Sequence, residues 1–192
     1  MTAPGVRRQR RLEHPREQVL EEAWSLLVER GLADLSLSEL GRRLGTSAGH
    51  LSYYFGSKNG LLLALLQWSE DELAAERDAI LASGTPAAQR LHALCVLNFP
   101  RAPGDPRWLL WAELWPRVPH EPDLRTAQQT YDAQWFSAVE QVVREFTDDT
   151  VAVTQRVIAL MNGMGISLLM GDPDLTIEVA CAHVLAVVPR PR

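Results

Sequence analysis

With only two cysteines in 192 residues, Cys95 and Cys181, the chain cannot be held by a disulfide framework, and its thiols read as those of a cytoplasmic, reduced protein. Its longest nearly apolar run, Val157 to Met170, falls short of the roughly 20 residues that a bilayer crossing needs, so no membrane partner is expected. No apolar stretch follows the N-terminal arginines, and no signal peptide is expected either. Period-two alternation and internal repeats are both missing, which argues against a sheet or a solenoid. There is no phosphate loop, no Ser/His/Asp order with supporting glycines and no paired-carboxylate signature. His92 and Cys95 stand three apart but lack a third or fourth ligand. No metal, no cofactor and no enzyme activity are therefore expected.

What remains is rich in helix signals. A hydrophobic content of 46% with 22% charged residues is ordinary for a globular chain. The net charge of −5 is unevenly spread: residues 1–60 carry nine Arg and Lys against seven Asp and Glu, the rest ten against seventeen. Arg7, Arg8, Arg10 and Arg11 are uninterrupted by any acid, so residues 1–13 read as a basic arm for phosphates or a minor groove, or simply as a solvated tail.

The organising stretch is Leu35 to Lys58. Ser36 followed by Glu39 is a capping box that starts a helix at about Leu37. Leu37, Leu40 and Leu44 give it one apolar stripe, and Gly45 stops it. Ser47 then caps a second short helix with Leu51 and Phe55 four apart. Two helices this short need neighbours, and Val19, Leu20, Ala23, Trp24 and Leu27 form an amphipathic helix before Gly31 to supply a wall. The pair reads as a helix-turn-helix spanning 36–55 within a domain at 14–60.

Downstream, a long helix is expected from Lys58 to about Ala82, with Leu61, Leu62, Leu65, Trp68 and Leu73 inward. Thr85-Pro86 and Asp105-Pro106 are start signals. Further helices are expected from about Pro122 to Phe146, Val151 to Met170 and Leu175 to Val188. The fold class is all-α, about nine helices, with residues 61–192 as a ligand-binding and dimerisation domain. Trp108, Trp111 and Trp115 share one helix face. With Trp68 and Trp135 on neighbouring helices and Glu113 nearby, they could wall a pocket for a flat apolar molecule or an organic cation, although an aromatic stripe is also ordinary core.

Gly45, Tyr53-Tyr54-Phe55, Gly56-Ser57-Lys58 and Gly60-Leu61-Leu62 together resemble the TetR family of transcriptional regulators, in particular its branch typified by the choline-responsive repressor of glycine-betaine synthesis. The resemblance is firm from about Pro15 to Gln67 and continues beyond only as a pattern of helices. Ser52 departs from the commoner Tyr, and Gly41 and Thr46 from Ala and Val. The resemblance implies a homodimeric repressor on a palindromic double-stranded operator, released by a small-molecule effector. In that setting Ala48 and Gly49 permit close approach, His50 and Tyr53 reach base edges, and Ser47, Tyr54 and Lys58 meet phosphates, with Ser36, Ser38 and Arg42 on backbone from the preceding helix. The helix from Val151, apolar nearly all round and with small residues that would let backbones approach, is expected to dimerise with the last helix through Ile158, Met161, Gly165, Leu168, Val179, His183 and Val187, internal core alone being the alternative. A helical ligand-binding or interaction module without specific DNA binding, and a helical enzyme, are the alternatives.

Overall fold

The computed structural model describes residues 15–189; the basic arm at 1–13 lies outside them. Among the described residues there are nine α-helices and no strand. The chain divides into two compact units, Met1–Leu65 and Leu66–Arg192.

In the first unit α1 (Arg16–Arg30), α2 (Leu37–Leu44) and α3 (Ala48–Phe55) are followed by the start of α4 (Lys58–Ala82). Helix α2 packs on both α1 and α3. Val19, Leu20, Leu26, Leu27, Leu35, Leu40, Leu51, Leu61 and Leu62 are all buried, which supplies the tertiary support that two eight-residue helices lack by themselves. Gly45 caps α2 in the left-handed region at φ 67°, as a C-terminal glycine should. The capping box is only half made. Ser36 Oγ accepts from the Glu39 N–H at 3.1 Å, but the Glu39 carboxylate turns to Arg30 and Arg42 instead of back to Ser36. Gly60 explains part of the motif: a Cβ there would collide with the Phe55 carbonyl, so glycine lets α4 start directly against the end of α3.

In the second unit the rest of α4 is joined by α5 (Ala87–Asn98), α6 (Pro106–Leu114) with a 3-10 turn at Trp115–Arg117, α7 (Pro122–Val143), α8 (Thr150–Met170) and α9 (Ile177–Ala186). The predicted start at Asp105 is real, its carboxylate accepting from the Arg107 and Trp108 N–H groups. Thr85 does not cap α5: its hydroxyl pairs with Ser83, and Pro86 occupies the cap position. Helices α7 and α9 end earlier than the apolar pattern implies, because Phe146 and Val188 are buried from the turns that follow. Leu91, Leu94, Cys95, Phe99, Val139, Val142, Val157, Cys181 and Val184 form the core where α5, α7, α8 and α9 meet.

Helix α8 is long and apolar enough, by length and composition, to cross a membrane, but its Val153, Val157 and Met161 are core. Several residues expected at a dimer face point into this core instead. Met161, Gly165 and Leu168 lie inside the chain, with Gly165 pressed against the Trp108 ring. Ile158 and Val187 are half-buried against that core. Only Val179 and His183 of the expected residues are exposed.

Candidate functional site

Helix α3 begins with Ser47 Oγ accepting from the His50 N–H at 3.0 Å. Leu51 is its one fully buried side chain, so this short helix presents most of its surface outward. Ser47, Gly49 and Tyr53 are exposed, Tyr53 to 61%, while Ala48, His50 and Tyr54 are half-buried. Tyr54 meets His50 and Tyr53 edge-on, each at 5.2 Å between centroids. The aromatic pair is thereby braced instead of loose.

On the preceding helix Ser38 is exposed and Ser36 half-buried. The charge there is already partly spent. Glu39 receives Arg42 through both Nε and a terminal nitrogen, at 2.9 and 2.6 Å, and Arg43 pairs with Glu22 and Glu29. Lys58, exposed at the start of α4, donates to the Leu32 carbonyl at 3.2 Å. One of its three N–H groups is engaged and the ammonium remains at the surface.

The tryptophans of the second unit do converge. Trp108, Trp111, Trp115 and Trp135 line a cavity of about 310 Å³ together with Glu70, Arg107 and Tyr131. The Trp111 and Trp115 rings lie 24° apart in a stacked pair, while Trp108 stands edge-on to Trp115 and Tyr131 edge-on to Trp111. Three of the indole N–H groups are engaged: Trp108 donates to the Asn98 carbonyl at 2.9 Å, Trp111 to Glu70 Oε1 at 2.9 Å and Trp135 to Glu70 Oε2 at 3.5 Å. Arg107 approaches Glu70 Oε1 at 3.7 Å, donates to the Asn98 carbonyl and lies over the Trp108 ring. Burial lowers the Arg107 pKa, while Glu70 and Asp105 oppose that shift. Burial is also the main reason that the Tyr131 phenol is pushed up to about 12 and the Asp132 carboxyl upward.

Two expected residues are absent from this cage. Glu113 is paired with Arg117 at the surface, and Trp68 does not line the cavity. The acid that sits among the indoles is Glu70, only 3% exposed. Its signal was available: Leu62, Leu66, Glu70, Leu73 and Arg77 recur at three- and four-residue steps, which places Glu70 and Arg77 on an inward stripe.

Residues 19–65 match the family described as bacterial regulatory proteins, tetR family. Residues 87–190 match the family of the C-terminal part of BetI-type transcriptional repressors. The chain belongs to the TetR family. This TetR-family chain is 30% identical over 164 residues to the HTH-type transcriptional regulator BetI of Pseudomonas aeruginosa, covering 82% of this chain and 83% of that one. It is 27% identical over 173 residues to BetI of Cronobacter sakazakii, 86% and 84% being covered. Among solved structures it is similar to a protein from Saccharomonospora viridis, described as a transcriptional regulator and crystallised in complex with choline. The TM-score is 0.76 at 27% identity, over 88% of this chain and 92% of that one. The all-α fold and the assignment as a DNA-binding helix-turn-helix regulator, a repressor by its relatives, rest on these matches together.

Proposed function

We propose that this TetR-family regulator is a cytoplasmic homodimeric repressor that holds a palindromic operator through its two α3 helices and leaves it when an organic cation of choline's kind enters the indole cage. The observation that carries the reading is the cage itself. Four indoles and a phenol surround a small cavity, which is the chemistry that stabilises an onium ion through ring quadrupoles. Choline in the Saccharomonospora viridis structure supports the same class of effector.

On DNA, Ala48 and Gly49 allow the start of α3 to approach closely, and His50 and exposed Tyr53 read base edges or thymine methyls. Ser36, Ser38, Ser47, Tyr54 and Lys58 hold phosphates, and Arg42 joins them to the extent that Glu39 releases it. The dimer face is revised from the expected one. It comprises the outward side of α8 at Ala159, Gly163 and Met170 and that of α9 at Val179, Ala182, His183 and Ala186, all exposed; Gly163 has open space where a Cβ would stand. Helix α4 carries both Lys58 and Glu70. A cation that favours one arrangement of α4 shifts the population toward it, and that difference in affinity is all that release requires.

The test is selection of bound duplexes from random DNA by the purified protein, followed by titration of choline into the selected complex. A palindrome that binds with a steep salt dependence and is released by choline supports the reading. Enrichment of no sequence removes the operator claim, and an operator complex indifferent to choline removes the effector claim.

A further inference from the structure

Glu70 is the natural candidate for the counter-charge of a bound cation, but each of its oxygens already has a partner in the protein. Oε1 accepts from Trp111 and faces Arg107, and Oε2 accepts from Trp135. The Glu70 and Arg107 charges offset each other inside the cage, so the pair contributes little net attraction for an incoming cation. What Glu70 does is orient two indoles and hold a guanidinium.

Asp132 stands differently. It lines the same cavity from α7, its Oδ1 accepts from Gln128 Nε2 at 2.7 Å one turn earlier, and the charge that acts on it is that of Glu70, a like charge. Fixing Gln128 Nε2 on Asp132 also fixes where the other end of that amide points. Gln128 Oε1 is buried with no hydrogen-bond partner, and so is the side-chain oxygen of Asn98 on the same cavity wall. A buried acceptor without a donor is destabilising, and a ligand hydroxyl would relieve it. Three indole donors are consumed and Arg107 is turned to Glu70 and the Asn98 carbonyl, so on the side of Asp132, Gln128 and Asn98 the cage offers a ligand acceptors beside its rings.

We propose that Asp132, not Glu70, is the counter-ion of the bound cation, and that the free amide oxygen of Gln128 receives a hydroxyl on that cation; this rests on the cage being the effector site. The class selected is a methylated onium ion with an alcohol arm. A carboxylate arm in the same place would meet Asp132, Glu70 and two bare amide oxygens.

The test is calorimetric titration of the full chain with choline, tetramethylammonium and glycine betaine, in wild type, Asp132→Asn, Asp132→Ser and Gln128→Met. Asp132 is exposed at the cavity edge, so its variants are expected to keep the wild-type circular dichroism and melting temperature. Losing the counter-ion should weaken choline and tetramethylammonium alike by up to about fivefold, the scale of a partly exposed ion pair. Gln128→Met also disturbs Asp132 and so weakens both ions, but the choline-to-tetramethylammonium preference should itself fall by about fivefold, one neutral hydrogen bond. Unchanged affinities in both Asp132 variants overturn the counter-ion role. An unchanged preference in Gln128→Met, or glycine betaine binding as tightly as choline, overturns the hydroxyl role. If the wild type binds none of the three, the effector-site reading beneath the proposal fails instead.

Discussion

The Trp111 indole N–H donates to Glu70 Oε1 at 2.9 Å, joining two buried residues that are 41 positions apart in sequence. That one carboxylate also engages Trp135 and balances Arg107, so its loss is felt beyond the cage wall. Glu70→Gln preserves an acceptor for one indole but removes the carboxylate that faces the buried Arg107 guanidinium. The expected cost is about 3 kcal/mol of unfolding free energy, the scale for removing one member of a buried pair. Urea denaturation measures it; a loss below about 0.5 kcal/mol, the range of an ordinary surface change, would show that Arg107 finds compensation elsewhere.

Gly165 and Gly163 sit two residues apart on α8 and should respond oppositely to alanine. A Cβ on Gly165 would overlap the Trp108 ring, forcing the indole and with it the cage to move, at about 1–3 kcal/mol for an overpacked core. Within one chain a Cβ on Gly163 meets nothing, and a methyl that the dimer face accommodates gains up to about 1 kcal/mol of helix propensity. Thermal unfolding of the two variants compares them directly. Equal destabilisation would mean that Gly163 is packed against the partner in the dimer too closely to admit a methyl.

Lys58 is the chain's only lysine, and it stands at the start of α4, directly after α3. Lys58→Ala should weaken DNA binding about uniformly across sequences and reduce the slope of log Kobs against log salt by about 0.9 for each phosphate that the chain no longer neutralises. The bond to the Leu32 carbonyl is exposed, so removing it should leave the melting temperature nearly unchanged. A lowered melting temperature with an intact salt slope would assign Lys58 to bracing the first unit and take it off the phosphates.

How much of this was legible in the sequence depended on whether the signal was local. Ser47, Gly45 and Asp105 act within four residues of themselves, and each cap is where the pattern placed it. Trp108, Trp111 and Trp115 share a face because 3.6-residue periodicity requires it. The same periodicity puts Glu113, two residues after Trp111, on a different face, and it is indeed at the surface with Arg117. Glu39 looked like a local cap but was drawn away by Arg30, nine residues earlier. Gly165 resembled a small residue for close approach between copies, yet the group that needs the space is an indole 57 positions earlier in the same chain. Which side chain fills a groove is a tertiary fact that spacing along one helix does not contain.

Glu39 links acid stability to DNA affinity. Hydrogen bonds from Arg42, with the charges of Arg42, Arg30 and Arg43, hold its carboxyl down at about 2, below the ordinary 4.5. Between those values the unfolded chain binds a proton that the folded chain does not, so stability rises with pH there. The contribution is complete above the ordinary carboxylate pKa and disappears as pH falls toward about 2. In Glu39→Gln the denaturation midpoint should therefore fall less steeply from pH 5 to pH 2 than in wild type, and added salt should narrow the gap because the pairs are solvent-accessible. The same substitution frees the Arg42 guanidinium on the helix that precedes α3, so at neutral pH it should tighten non-specific DNA binding and steepen its salt dependence by up to about one phosphate per chain. Parallel pH curves would show that Glu39 is equally paired in the unfolded chain. A salt slope that stays the same would place Arg42 outside the reach of DNA, leaving Glu39 with the structural task of tying the end of α1 to α2.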